Sequence, residues 1–319
     1  MNCLVAFGIV AVASITAAAQ AADWPTKPVR VVVPFAAGGA ADTIGRVYAD
    51  ALSTAFGKQF YIDNRVGAGG LIGTAAVARA EPDGHTLLVS GIPVLVLGPA
   101  MIDHPGFDPL RDFTHIAYFG GTPNVLVAHP TLGVTNYPQF LALARGSDGL
   151  DYVSAGFGTM GNWAAEFLAM KESIKLTHVP HRATPQAMLD LLAGRVKVGM
   201  FTWSTVAQHI RAGSLIPLAV SSAARLAYMP DVPTLSELGH ADFVATAWYS
   251  LSAPAGLPDS IVSSLNREII AAADSPQVRR QIEQDAIESK AMTPAELTQF
   301  ITGEIGRWRP LIRRVLSAK

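Results

Sequence analysis

The sequence predicts an α/β protein of two domains, and three observations carry that expectation. Short β-rich runs alternate with helical patterns along most of the chain. A strand–glycine turn–helix unit recurs once in each half, in VRVVVPFAAGGAAD (29–42) and DYVSAGFGTMG (151–161). With 319 residues the chain exceeds one core of usual size.

The elements follow in order. Val29–Val33 reads as a fully buried strand, and the helix after it places Ile44, Val47, Tyr48, Ala51, Leu52 and Ala55 on one face, with Gly57 as its cap. Phe60–Asp63 is a strand, and Leu71–Ala80 a helix stopped by Glu81-Pro82. Thr86–Ser90, His115–Phe119 and Val125–Ala128 are further strands, so the first unit is expected to be an open, mostly parallel sheet. In the second unit Asp151–Ser154, Leu176–Val179, Val196–Phe201 and Leu215–Val220 are strands, with helices at 163–171, 185–193 and 204–212. An extended run at 247–256 leads into a helical remainder, 258–316, with stripes at Ile261, Leu265, Ile269, Ile270 and at Leu297, Phe300, Ile301, Ile305.

Two glycine corners stand out chemically. PFAAGGAAD (34–42) and NRVGAGGLIG (64–73) each lie between a strand and a helix start. Such corners aim free backbone N–H groups and the positive end of a helix dipole at one point, which makes an anion site without lysine or arginine. Either corner could instead be only a tight turn. Asp42 could be an N-cap rather than a ligand contact.

Bulk composition excludes several classes. Half the residues are hydrophobic and 15% are charged, which describes a globular chain. Lys plus Arg (24) nearly balances Asp plus Glu (25) without a basic run, so nucleic-acid binding is not expected. The N-terminal stretch is apolar from Cys3 to Ala19 and ends in Ala19-Gln20-Ala21, so a signal peptide is expected over 1–22, with export to the periplasm. An uncleaved anchor is the alternative, since no Lys or Arg precedes the run. Cys3, the sole cysteine, lies in that leader, so neither disulfide nor thiol nucleophile is expected. No G-x-S-x-G elbow, P-loop, dinucleotide fingerprint or paired-histidine motif occurs. No catalytic residue, metal or cofactor is therefore expected.

Six ordered blocks carry a resemblance. PFAAGGAAD with NRVGAGGLIG, AEPDGHTLLVS (80–90), YVSAGFGT (152–159), LTHVPHR (176–182), LLAGRVKVGMF (191–201) and AVSSAARL…MPDVPTLSELG (219–239) with AWYSLSAPAGLP (247–258) resemble the tricarboxylate-type (TctC) periplasmic solute-binding proteins, also called Bug receptors. The resemblance implies a Venus-flytrap architecture, type II-like, with two α/β domains joined by crossover strands near 123–127 and 247–251. Domain I would be 24–123 plus 247–319, and domain II 124–246. It implies capture of a small carboxylate for the permease subunits of a tripartite membrane transporter by a monomeric receptor. A sensor for a signalling partner is the alternative, and an exported hydrolase a weaker one.

Carried onto this chain, the first corner supplies Phe35, Ala36, Gly38, Gly39 and Asp42, and the second Gly67, Ala68, Gly69, Gly70 and Gly73. Domain II would add Phe157, Gly158, Thr159, Asn162, His181, Thr184 and Thr202, with Trp248 at the hinge. The family often has His at position 162, Tyr-Lys-Gly at 181–183 and Asp at 202, where this chain has Asn162, His181-Arg182-Ala183 and Thr202. Loss of the acid at 202 removes a partner for an ammonium group and favours dicarboxylates or aromatic carboxylates over amino acids. Phe35, Phe157, Trp163, Trp203 and Trp248 are the aromatic stock for such a ligand. Gly39→Val and Gly70→Val are both expected to weaken binding with the fold intact.

Overall fold

The computed structural model describes residues 24–181, 183–240 and 243–317. The expected leader, 1–22, lies outside the described residues. Among those described, no helix is long and apolar enough to cross a membrane.

The first sheet opens with β1 (Val29–Val33), whose aliphatic run is buried almost throughout, followed by α1 (Ala40–Phe56). Gly57 ends α1 in the left-handed region (φ 62°), as expected of a C′ glycine. Then come β2 (Phe60–Asn64), α2 (Leu71–Ala78) and β3 (Thr86–Gly91). The 93–97 segment forms a single π-turn running into α3 (Gly98–Met101), which the sequence reading did not identify.

β4 (Phe113–Ala128) is one continuous strand of 16 residues where the sequence suggested two. Gly120-Gly121-Thr122-Pro123 looks like a break, since Gly and Pro usually punctuate elements. Here the glycines admit close neighbours instead: a Cβ on Gly120 would fall on Ile287, and one on Gly121 on Thr246.

The second sheet comprises α4 (Tyr137–Arg145), another element not anticipated, then β5 (Leu150–Ser154), α5 (Met160–Glu172) and β6 (Leu176–His178). α6 (Thr184–Leu192), β7 (Val198–Thr202), α7 (Trp203–Arg211) and β8 (Ile216–Val220) complete it. β9 (Thr246–Pro254) returns to the first sheet, and α8 (Asp259–Ala273), α9 (Pro276–Gln284) and α10 (Pro294–Ser317) close the chain.

The strand order is β2-β1-β3-β9-β4-β7-β5-β6, with β8 also on β4. β4 changes partners midway: residues up to Pro123 pair with β9, and Asn124–Ala128 pair with β7 and β8. The chain therefore forms two lobes that share β4. In the first, β1 is parallel to β2 and β3, but β9 runs antiparallel to β3 and β4. The expected mostly parallel sheet is thus only half so, because its last two strands are the ones that cross between lobes. The return crossing precedes Thr246, slightly ahead of the expected position.

A buried polar network sits inside the first lobe. His115, 3% exposed, bonds through Nδ1 to Ser252 Oγ (3.0 Å) and through Nε2 to the Pro109 carbonyl (3.0 Å). Ser252, Ser90 and Ser250 continue the chain at 2.7 and 2.8 Å. Burial pushes the His115 imidazole down from 6.5 to about 4. The unfolded chain therefore binds a proton there that the native state refuses, so stability is complete above pH 6.5 and is lost as pH falls towards 4. Urea midpoints are expected to fall over that window by an amount worth about 3 kcal/mol. In His115→Asn the fall should be clearly smaller; an identical pH profile in the variant would exclude His115 as the cause.

Candidate functional site

Between the lobes lies a cavity of about 110 Å³, where one water needs about 10–15 Å³ by the same measure. It suits a small organic molecule. The first lobe lines it with Phe35, Ala36, Ala37, Gly39, Ala40, Ala41, Pro93, Ala247 and Tyr249. The second contributes Asn124, Ala155, Thr159, Met160, Gly161, Ala183, Thr184, Pro185, Met200, Phe201, Thr202 and Thr205. Among the described residues no charged side chain lines it.

Four helices begin at this wall: α1, α5, α6 and α7. The N-cap residues Gly39, Ala183 and Thr202 make no side-chain cap hydrogen bond, so the first-turn N–H groups of α1, α6 and α7 are not taken up by their own caps. Each helix end adds roughly half a positive charge. Hydroxyls add directional donors: Thr202 Oγ1 lies 3.1 Å from Ser204 Oγ and 3.0 Å from Thr205 Oγ1. Burial pushes the Tyr249 phenol well above its ordinary value, which keeps it a neutral donor.

The entry loops of the two lobes share one geometry. Gly38 (φ 81°) donates its N–H to Asp42 Oδ2 at 2.9 Å, and Gly158 (φ 80°) donates to Asn162 Oδ1 at 3.0 Å. In both, the acceptor is the third residue of the helix and the donor lies four residues earlier. Positive φ explains glycine at 38 and 158. Asp42 is thus neither N-cap nor cavity residue. Its carboxylate is held by Arg46 (2.9 Å to each oxygen) and by Asn64 Nδ2 (2.9 Å). Burial pushes this carboxyl up, but the hydrogen bonds from Arg46, Gly38 and Asn64 outweigh it and leave it below its usual value.

The family model described as "Tripartite tricarboxylate transporter family receptor" matches residues 44–316. The chain belongs to this family. It is 32% identical over 306 residues to protein BugT of Bordetella pertussis, covering 95% of this chain and 94% of that protein. Among solved structures, Rpa4515 of R. palustris with adipate superposes with TM-score 0.86 at 30% identity, covering 92% and 98% of the two chains. MatC of Rhodopseudomonas palustris with bound malate does so with TM-score 0.84 at 30% identity, covering 91% and 100%. Family and neighbours are solute-binding receptors, and this chain is a receptor rather than an enzyme.

Within this receptor, the structure brings Phe35, Ala36, Gly39, Thr159, Thr184 and Thr202 of the expected site together around the cavity. It places the second corner elsewhere. Gly67, Ala68, Gly69 and Gly70 take φ values of 137°, 47°, 64° and 96°, folding the segment into a one-turn 3₁₀ helix. A Cβ on Gly70 would lie 2.7 Å from Val94 Cγ1 and 3.1 Å from Phe35 Cζ, so Gly70 is packed beneath the Phe35 ring while Ala68 and Gly69 stay exposed. Gly73 packs against the Arg65 backbone and Pro34. These glycines serve backbone shape and close packing.

Four further expectations are corrected. Asn162 is 1% exposed and donates Nδ2 to the Tyr152 hydroxyl (2.7 Å), bracing its loop instead of lining the cavity. His181 is held by Asp190 through Nε2 (2.7 Å) and meets the Val179 carbonyl through Nδ1 (3.1 Å), leaving neither ring nitrogen for a ligand. Trp248 faces away because β9 alternates: Ala247 and Tyr249 line the cavity, and the Trp248 indole donates to Glu304 (2.9 Å). Phe157 is 58% exposed on the loop tip, beside Gly158, where a Cβ would meet Met101 Sδ at 3.4 Å. Trp163 and Trp203 are core residues too, so the aromatic stock at the cavity reduces to Phe35, Phe201 and Tyr249.

Asn124, Thr205 and Tyr249 were not anticipated. Thr205 had a signal, the hydroxyl run Thr202-Trp203-Ser204-Thr205 at a helix start. Asn124 and Tyr249 sit beside the crossings, and nothing local in the sequence marks them.

The two glycine variants therefore separate. Gly39 has φ −84°, and a Cβ there meets only the Ala36 carbonyl at 3.6 Å. Gly39→Val is expected to lower the urea midpoint less than Gly70→Val does. Gly70→Val, strained at φ 96° and facing Val94, should lower stability by about 1–3 kcal/mol. Equal midpoints for both variants would contradict this packing.

Proposed function

We propose that this chain is a periplasmic receptor for a small aliphatic dicarboxylate, delivered to the membrane permease of a tripartite transporter. One observation carries the reading: helix N-termini from both lobes converge on one uncharged cavity, α1 from one side and α5, α6 and α7 from the other. An anion at each end of the ligand would then meet a helix terminus at each end of the cavity. The adipate and malate complexes of the two R. palustris relatives support the same class. The lack of acidic lining among the described residues leaves an ammonium group without a partner, which disfavours amino acids. Few aromatic side chains reach the cavity, which disfavours aromatic acids.

In this reading the gripping lobe is 24–123 with 247–319, and the closing lobe is 124–246. The ligand docks on α1, and the second lobe closes over it. Micromolar affinity requires about 8 kcal/mol. Charge-assisted hydrogen bonds at about 1.5–3 kcal/mol each can supply it after ordering costs, without any cationic side chain.

A thermal-shift screen followed by calorimetry tests the proposal. Four- to six-carbon dicarboxylates (about that length, judged from cavity size) are expected to bind, and monocarboxylates of equal length at least about tenfold more weakly. Gly39→Val should reduce affinity by at least about tenfold, and Thr205→Val by a few-fold. Binding of amino acids in preference to dicarboxylates would refute the reading.

A further inference from the structure

The C-terminal half of α10 carries charge that neither the cavity nor the fold accounts for. Between Ile305 and Ser317 the sequence IGRWRPLIRRVLS holds Arg307, Arg309, Arg313 and Arg314 and no acid. Arg309, Arg313 and Arg314 are exposed. Arg309 and Arg313 stand four residues apart on a helix, a spacing at which like charges repel. Arg307 is engaged inward, donating to the Val244 carbonyl (2.6 Å) and stacking over Trp308.

A second helix adds to this face. Lys171, at the end of α5, lines a groove with Phe167, Met170, Trp308 and Leu311. Lys175, just beyond α5, lines an adjoining groove with Met170, Ile174 and Val315. Both lysines are exposed. The acids in this region are spoken for: Glu172 by Arg145, His240 and Tyr137, Glu166 by Tyr152, and Glu304 by Trp248 and Trp308. Farther along, Asp108 feels the Arg309 charge and accepts backbone N–H groups of Leu110 and Arg111.

We propose that this face docks the receptor on an anionic phospholipid surface. Charge complementarity argues for that occupant: Arg309, Arg313 and Arg314 of α10 and Lys171 and Lys175 at the end of α5 are exposed cations, and Met170 and Leu311 line the grooves where the two helices meet. The whole chain has a formal net charge of −1, so only an orientation that presents this face is attracted to such a surface. Location argues for it as well. α5 starts at the cavity with Met160 and reaches Lys171 about 16 Å away at 1.5 Å per residue. None of the five cations lines the cavity. The inference goes beyond the receptor reading and does not depend on the ligand's identity.

The test is co-sedimentation of the full chain with vesicles of phosphatidylglycerol and phosphatidylethanolamine, against vesicles of phosphatidylcholine alone. Binding is expected only to the anionic vesicles and is lost at high salt. The triple variant Arg309→Glu, Arg313→Glu, Arg314→Glu should bind at least tenfold more weakly, with its melting temperature and carboxylate affinity retained. A control with equal charge change, Lys58→Glu, Arg280→Glu, Lys290→Glu, should lose less than threefold. Absence of binding to anionic vesicles, equal binding to phosphatidylcholine, or equal loss in both triple variants would overturn the proposal; the first would leave an acidic protein as the partner to seek.

Discussion

An anion can be taken out of water only if something repays its hydration, and here no cationic side chain among the described residues lines the space available. The burden falls on main-chain dipoles, and topology supplies them. Each helix that opens on the cavity follows directly from a strand: α1 from β1, α5 from β5, α6 from β6 and α7 from β7. In α/β sheets the carboxyl ends of strands and the amino ends of helices lie on the same edge. Two lobes with those edges face to face make a two-sided anion trap as a consequence of connectivity. Side chains at the wall then need chiefly to be small, which is why alanine, glycine and threonine dominate it.

The matched entry loops show how such a wall is kept in shape. Gly38 with Asp42, and Gly158 with Asn162, repeat one hydrogen bond across two lobes that otherwise differ. A carboxylate facing an anionic ligand would be repulsive, and the two loops avoid that differently. Asp42 is neutralised by a bidentate Arg46 and turned away from the cavity, while Asn162 is neutral and tied to Tyr152. The departure from the family pattern at position 162 is therefore better understood as a loop brace than as a specificity residue.

The strands and helices flanking each glycine turn were legible, because period and turn chemistry are local properties. Val29–Val33 and the helix capped by Gly57 are cases where burial, periodicity and a positive-φ glycine agree. Of the expected site, the residues that line the cavity are Phe35, Ala36, Gly39, Thr159, Thr184 and Thr202, all at or just before helix starts. His181, Asn162 and Trp248 looked available, but their partners Asp190, Tyr152 and Glu304 lie 9, 10 and 56 residues away, beyond any local pattern. The second corner misled for another reason. A glycine run signals unusual backbone, and at Gly67–Gly70 the turn uses that freedom itself. The break assumed at Gly120–Pro123 fails the same way, since close packing and chain reversal call for the same residue.

That misread break is where the lobes join. Asn124 receives the Ser221 N–H on its carbonyl, gives its own N–H to Ser221 Oγ (2.8 Å) and its side-chain Nδ2 to the Ala245 carbonyl (2.9 Å). Ser221 Oγ also donates to Ala245 (2.7 Å). Both crossing segments and the end of β8 are thereby fastened at one point, and Asn124 also lines the cavity. A buried, satisfied polar cluster holds geometry better than an apolar one, because each bond lost there leaves an unpaired group. α10 reinforces this, contacting the crossings through Glu304 and Arg307 while its Trp308 packs on Phe167 of the second lobe. In the proposed receptor reading, this clasp is the fixed point about which the two lobes turn, which keeps the helix termini in register.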